Sequence, residues 1–145
     1  MFSDRRDAGR QLAQMVGHLS SRETIVLGLP RGGVPVAAEV ARALEAPMDV
    51  IVVRKLGVPG HVELAMGAIG EGGVKVIHSD VVDPLGISPE EIRAVERREA
   101  IELERRVEAF RGGSEAPDIA GRQVVIVDDG IATGSTIRAA CQVAR

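Results

Sequence analysis

At 145 residues, with 45% hydrophobic and 27% charged side chains, the chain has the size and composition of one globular domain with a buried core. A net charge of -3, with Arg and Glu evenly mixed, offers no basic field for nucleic acid or an anionic membrane, and with Phe2 and Phe110 as the only aromatics there are few platforms on which bases could stack. No apolar run approaches the roughly 20 residues of a membrane span, and the polar start MFSDRRD is not a signal peptide, so a cytoplasmic protein that binds neither nucleic acid nor membrane is expected.

Ser3 is placed to cap a first helix running to about Leu19, with Leu12, Met15, Val16 and Leu19 on its apolar face. Thr24 to Leu29 is a short apolar run that ends in Pro30-Arg31-Gly32-Gly33, and Val34 to Leu44 returns to a helical period rich in Ala. Met48 to Val53 is a second continuous apolar run, β-branched from Val50 to Val53, as expected for a strand buried on both faces of a parallel sheet. These elements make a βαβ unit.

From about residue 54 to 73 the chain is punctuated by Gly57, Pro59, Gly60, Gly67, Gly70, Gly72 and Gly73, with a strand around Leu64 to Ile69, and reads as a mobile hairpin or flap. Val74 to Ile77 is a further short strand, followed by a turn through Asp83, Pro84 and Gly86. Ser88-Pro89-Glu90-Glu91 is a capping box with Pro at the first helical position. It opens a long helix, about 89 to 110, with the stripe Ile92, Val95, Leu103, Val107 and Phe110 buried and the Glu/Arg remainder solvated. Ser114 to Arg122 is a polar connector, Gln123 to Val127 a strand, and Ser135 to Arg145 a final helix in which the lone Cys141 reads as a small core residue. Alternating strands and helices give an α/β fold with a mainly parallel sheet flanked by helices, and no break in composition marks a second domain, so residues 1 to 145 are taken as one.

Ligands of open parallel sheets bind at the carboxyl ends of strands, which directs attention to the loops after Leu29, Val53 and Val127. After Val127 come Asp128 and Asp129, then Gly130-Ile131-Ala132-Thr133-Gly134-Ser135-Thr136 at a helix start. Backbone amides, the helix dipole and three hydroxyls suit a phosphate dianion there, while the two acids suit ribose hydroxyls or a magnesium ion a short distance away. A plain Asp-Gly turn with a hydroxyl cap is the bland alternative, but an apolar strand, twin acids and a hydroxyl-glycine loop in succession fit a sugar phosphate better.

Val124 to Thr136, VVIVDDGIATGST, closely resembles the 13-residue PRPP-binding signature of type I phosphoribosyltransferases, and the DR..AG..LA pattern of Asp4 to Ala13 resembles a bacterial subgroup of predicted members. The resemblance implies that Asp128 and Asp129 hold the ribose 2- and 3-hydroxyls and that Thr133 to Thr136 hold the 5-phosphate, with Gly130, Ile131 and Ala132 completing the loop. It implies that Pro30, Arg31, Gly32 and Gly33 form a pyrophosphate loop containing a cis peptide between Pro30 and Arg31. Arg54 and Lys55, read as ending the second strand, would add positive charge near pyrophosphate; Arg31, Lys55 and Asp129 are the expected catalytic side chains. The stretch from Gly57 to Gly73 is similar to the family's flexible loop, where His61 and Glu63 are the available acid-base groups.

The expected reaction is transfer of a 5-phosphoribosyl group from PRPP to a nitrogenous acceptor, with magnesium entering with PRPP and no protein ligand to the metal directly assigned. A homodimer is an assembly to test. Ala132 stands where members acting on 6-oxopurines usually have Asp, which disfavours such an acceptor handled in that way. The family pattern continues beyond the last helix, so the fold is expected to be C-terminally truncated. The main alternative is a non-catalytic PRPP- or nucleotide-binding regulatory module. A response-regulator receiver is disfavoured because its acidic pair lies near the start of the chain, and a P-loop or dinucleotide-binding protein because neither Gly-Lys-Ser/Thr nor GxGxxG occurs.

Overall fold

A computed structural model describes all residues, 1 to 145. The elements run α1 (Arg5–Met15), β1 (Thr24–Gly28), α2 (Gly33–Leu44), β2 (Met48–Val50), β3 (Val53–Val58), β4 (His61–Gly70), β5 (Val74–Ile77), α3 (Ser79–Leu85), α4 (Pro89–Arg111), β6 (Gln123–Val127) and α5 (Ser135–Val143). They fall into two compact units, Met1–Ile51 with Pro117–Ala132, and Val52–Ala116 with Thr133–Arg145.

The first unit is an α/β layer. Its parallel sheet has the order β2-β1-β6, so β1 is central and every residue of it is buried. Val36, Ala37, Val40, Ala41 and Leu44 of α2 pack on Val26 and Val127, and Leu12, Ala13 and Val16 of the first helix extend the same cluster. Leu44 is 1% exposed, and burying a side chain of that size contributes about 1.5–3 kcal/mol. The one buried polar residue, Thr24, is satisfied: its hydroxyl donates to the Leu19 carbonyl at 2.7 Å and pairs with Ser21 Oγ at 2.8 Å.

Several sequence expectations shift here. Asp4, not Ser3, caps α1, because its carboxylate accepts the Asp7 N–H at 2.7 Å, and the helix gives way to a short 3-10 turn at Gly17–Leu19. Met15 faces solvent at 76% exposure, whereas Ala13, on the opposite side of the helix, is buried in the cluster with α2. Asp7 accepts from the Ser3 amide and from Gln11, which lowers its carboxyl below the ordinary value, the Ser3 bond being the larger cause. The strand expected from Met48 to Val53 stops at Val50 and is only half-buried, because it is an edge strand. Ile51 and Val52 are buried without being in a strand, and Val53 begins a different sheet.

That second sheet, β3-β4-β5, is antiparallel and belongs to the second unit. The glycine-punctuated stretch is therefore a hairpin of two long strands that turns at Pro59-Gly60, with Gly60 at φ +80° and register shifts after Leu56 and after Gly57. Gly67 and Gly57 lie where a neighbouring strand's backbone leaves no room for a side chain: an added Cβ would meet the Val76 and Val62 carbonyls. Asp83 and Pro84, read from sequence as a turn, lie inside α3, which Gly86 closes at φ +63°. In α4 the capping box is formed, with Ser88 Oγ accepting from the Glu91 N–H at 3.1 Å and Glu91 accepting from the Ser88 N–H at 2.8 Å. Its buried residues are Val95 and Leu103, while Phe110 is 37% exposed. The polar face of α4 is not wholly solvated, since Glu99 pairs with Arg54 and Glu71 receives a two-pronged bond from Arg111. Cys141 is exposed, because Ala139 and Ala140 form the buried stripe of α5. No helix is long and apolar enough to cross a membrane.

Candidate functional site

In the first unit, the carboxyl ends of the adjacent strands β1 and β6 bring two of the expected loops together. The Leu29 N–H donates to the Val127 carbonyl at 2.9 Å, which ties the start of the Pro30–Gly33 loop to the base of the acidic pair. The peptide joining Pro30 to Arg31 is cis, as the resemblance implied. Both glycines are closely packed, Gly33 against backbone and Gly32 against a side chain. A Cβ at Gly33 would lie 2.6 Å from the Val127 carbonyl oxygen and 2.9 Å from Asp128 Cα, and one at Gly32 would overlap the Asp129 carboxylate. Arg31 is exposed beside them.

Asp128 and Asp129 have different environments. Asp128 is partly buried and its Oδ1 accepts the Asp129 N–H at 2.8 Å. Burial raises its carboxyl above the ordinary value and the neighbouring Asp129 pushes the same way, against the lowering effect of that backbone bond. Asp129 is gripped by Arg5 of α1, whose Nε donates to Oδ2 at 3.0 Å and whose Nη2 lies 2.9 Å from the same oxygen.

In the second unit, Gly134 takes φ +77°, which favours glycine, and leads into α5 without a side-chain cap. Thr133 Oγ1 accepts the Ser135 N–H at 3.3 Å and pairs with Ser135 Oγ at 3.0 Å, and Lys55 Nζ donates to Ser135 Oγ at 2.9 Å. A cluster of hydroxyls with one ammonium group at a helix N-terminus can neutralise and hydrogen-bond a phosphate. Arg54 and Lys55 lie on β3 of the antiparallel sheet and do not end the second parallel strand, because Val53 pairs with Gly70. Arg54 is engaged by Glu99 at 2.7 Å, whereas Lys55 faces the loop. Gly130, Ile131 and Ala132 are exposed, Ile131 at 68%. His61 and Glu63 lie exposed on β4.

A cavity of about 470 Å³ in this second unit is lined by Lys55, Ser135, Glu63, His78, Arg138 and Gln142, among others. His78 Nε2 pairs with Gln142 Oε1 at 3.0 Å. Sequence reading missed Arg5, His78 and Gln142. No local pattern marks His78 or Gln142, while Arg5 belongs to the DR..AG..LA segment already singled out. No cluster of three or more His, Cys, Asp or Glu side chains is arranged to hold a metal. The available donors, two adjacent carboxylates, are hard oxygens that fit a magnesium ion carrying substrate phosphate oxygens and water as its remaining ligands.

A family model described as a phosphoribosyl transferase domain matches residues 5–144. Two proteins of Mycobacterium tuberculosis, "Putative phosphoribosyl transferase Rv0571c" (strain H37Rv) and "Putative phosphoribosyl transferase MT0597" (strain CDC 1551 / Oshkosh), are each 61% identical over all 145 residues, and the chain spans 33% of their length. The crystal structure of TT1426 from Thermus thermophilus superposes with a TM-score of 0.90 at 43% identity, over 99% of this chain and 68% of that one. With a parallel sheet flanked by helices and a domain match over nearly its full length, the chain belongs to the phosphoribosyl transferase family.

Proposed function

We propose that residues 1–145 act as one phosphoribosyltransferase domain that binds PRPP and passes its 5-phosphoribosyl group to a nitrogenous acceptor with release of pyrophosphate. The observation that carries this reading is the close contact of Gly32 and Gly33 in the Pro30–Gly33 loop with Val127, Asp128 and Asp129, which sets a loop suited to pyrophosphate directly against two carboxylates suited to ribose. The chain itself then runs from those acids into the Thr133–Thr136 hydroxyls, a short covalent reach that suits a 5-phosphate.

In this reaction the bond from C1 of the ribose to the pyrophosphate oxygen breaks, a bond from the acceptor nitrogen to C1 forms, and the acceptor gives up a proton to solvent. The transition state has oxocarbenium character, so positioning and charge neutralisation supply most of the acceleration. Asp128 and Asp129 accept hydrogen bonds from the ribose hydroxyls and hold the ring. Arg31 and Lys55 neutralise phosphate charge. Arg54, already paired with Glu99, has the smaller part. Magnesium, when bound with PRPP, supplies neutralisation of the pyrophosphate. The hairpin that turns at Pro59-Gly60, with His61 and Glu63 on its second strand, is the segment that we read as the family's flexible loop.

The test is a screen of nitrogenous acceptors against the full-length protein with magnesium and PRPP, following pyrophosphate. Acceptor-dependent release supports the transferase. Tight PRPP binding without release from any acceptor favours a regulatory module on the same fold.

A further inference from the structure

The DR..AG..LA segment has no part in the function described so far, yet its residues form one device. Asp4 caps α1 through the Asp7 N–H and so fixes where the helix starts. Gly9 lets α1 lie close against α2, since a Cβ there would come within 2.8 Å of both Glu39 Cβ and the Val36 carbonyl oxygen. Ala13 is buried in the same contact. The result is a helix held at a set distance and a set rotation, with Arg5 in its first turn reaching Asp129, 124 residues away in sequence.

We propose that Arg5 is a positioning residue for PRPP binding, acting through Asp129. Both guanidinium contacts fall on one carboxylate oxygen, Oδ2, at 3.0 and 2.9 Å, which leaves Oδ1 to accept from a ribose hydroxyl. Gly32 packs against the same carboxylate, with Oδ2 the atom nearest to where a side chain at residue 32 would be. Arg5 also places a positive charge against the second of two consecutive carboxylates, Asp128 and Asp129. A stabilising role explains the contact less well. The Arg5 side chain is 61% exposed and that of Asp129 34%, and ion pairs so open to water add little to folding stability. The inference rests on the reading of Asp129 as a ribose ligand.

The experiment is a double-mutant cycle in the full-length protein, measuring the dissociation constant of magnesium PRPP by calorimetry for wild type, Arg5→Ala, Asp129→Asn and the double variant, with Arg5→Lys as the conservative control. The expected result is about tenfold weaker binding for Arg5→Ala with partial recovery in Arg5→Lys, a change in melting temperature of less than about 4 °C, and no more than about twofold further loss when Arg5→Ala is added to Asp129→Asn. Unchanged affinity in Arg5→Ala overturns the proposal, and so does an equal loss in the Asp129→Asn background, which would mark a structural effect of α1 independent of Asp129. If wild type itself fails to bind PRPP, the proposed function falls and this inference falls with it, a result distinct from the other two.

Discussion

Gly32→Ala separates the site from the scaffold. Gly32 has φ -65° and ψ -34°, an ordinary helical conformation, so alanine is allowed by the backbone and the reduced freedom of the unfolded chain favours the variant by about 0.4–1 kcal/mol. Against this, the new methyl group overlaps the Asp129 carboxylate, a side chain and not backbone. The carboxylate must turn away, giving up the half-exposed Arg5 pair, about 0–1 kcal/mol, and taking an off-rotamer angle, about 0.5–1.5 kcal/mol. The net change in stability stays within about 2 kcal/mol, which in a domain of this size is roughly 7 °C or less in melting temperature. Ligand binding carries the larger effect. A hydrogen bond to an ionised group is worth about 1.5–3 kcal/mol, so a displaced Asp129 weakens PRPP by about 10-fold to 100-fold. Thermal denaturation with and without magnesium PRPP, followed by calorimetric titration, reads both quantities. PRPP affinity within twofold of wild type would refute the claim that this loop contact sets the ribose-binding carboxylate.

Three further outcomes are expected. Asp128→Asn should raise the melting temperature at pH 7 while weakening PRPP. The folded-state value of this carboxyl is raised above its ordinary 3.8, chiefly by burial, so its contribution to stability is fully present below that value and is lost as pH rises through the folded-state value. The advantage of the neutral amide should therefore fade as pH falls to 3, and a variant less stable than wild type at pH 7 contradicts this. Glu71→Ala should cost about 1.5–3 kcal/mol in denaturant unfolding, because it removes the carboxylate that accepts two bonds from the Arg111 guanidinium, whose side chain is 5% exposed; a cost below about 1 kcal/mol would show that the pair does not anchor the end of α4. Ser88→Ala should cost about 1 kcal/mol by removing the hydroxyl that accepts from Glu91, with no effect on PRPP affinity.

What could be read in advance follows the range of the forces involved. The run from Thr24 into Gly33, the capping box at Ser88 and the strand from Gln123 are local patterns, and each forms the element its residues imply. The apolar run from Met48 implies a longer strand than the one that forms, because β-branched residues show that a segment can be a strand and not which partner it takes; Val53 pairs with Gly70. Asp83-Pro84-Gly86 read as a turn, yet Pro84 lies in the last turn of α3 and Gly86 is its cap, an arrangement with the same local composition. The Asp128-Asp129 loop was visible as a motif, whereas the grip of Arg5 on Asp129 depends on packing between α1 and α2 and has no signature at either residue alone. His78 and Gln142 meet for the same reason, 64 residues apart on elements brought together only by folding.

The most direct measurement of the central claim is calorimetric titration of magnesium PRPP into the wild-type protein and into Asp128→Asn/Asp129→Asn. Saturable binding by wild type that disappears in the double variant, while both retain cooperative unfolding, is the result predicted. Equal binding by the two proteins would contradict the assignment of the ribose site to the carboxyl end of β6.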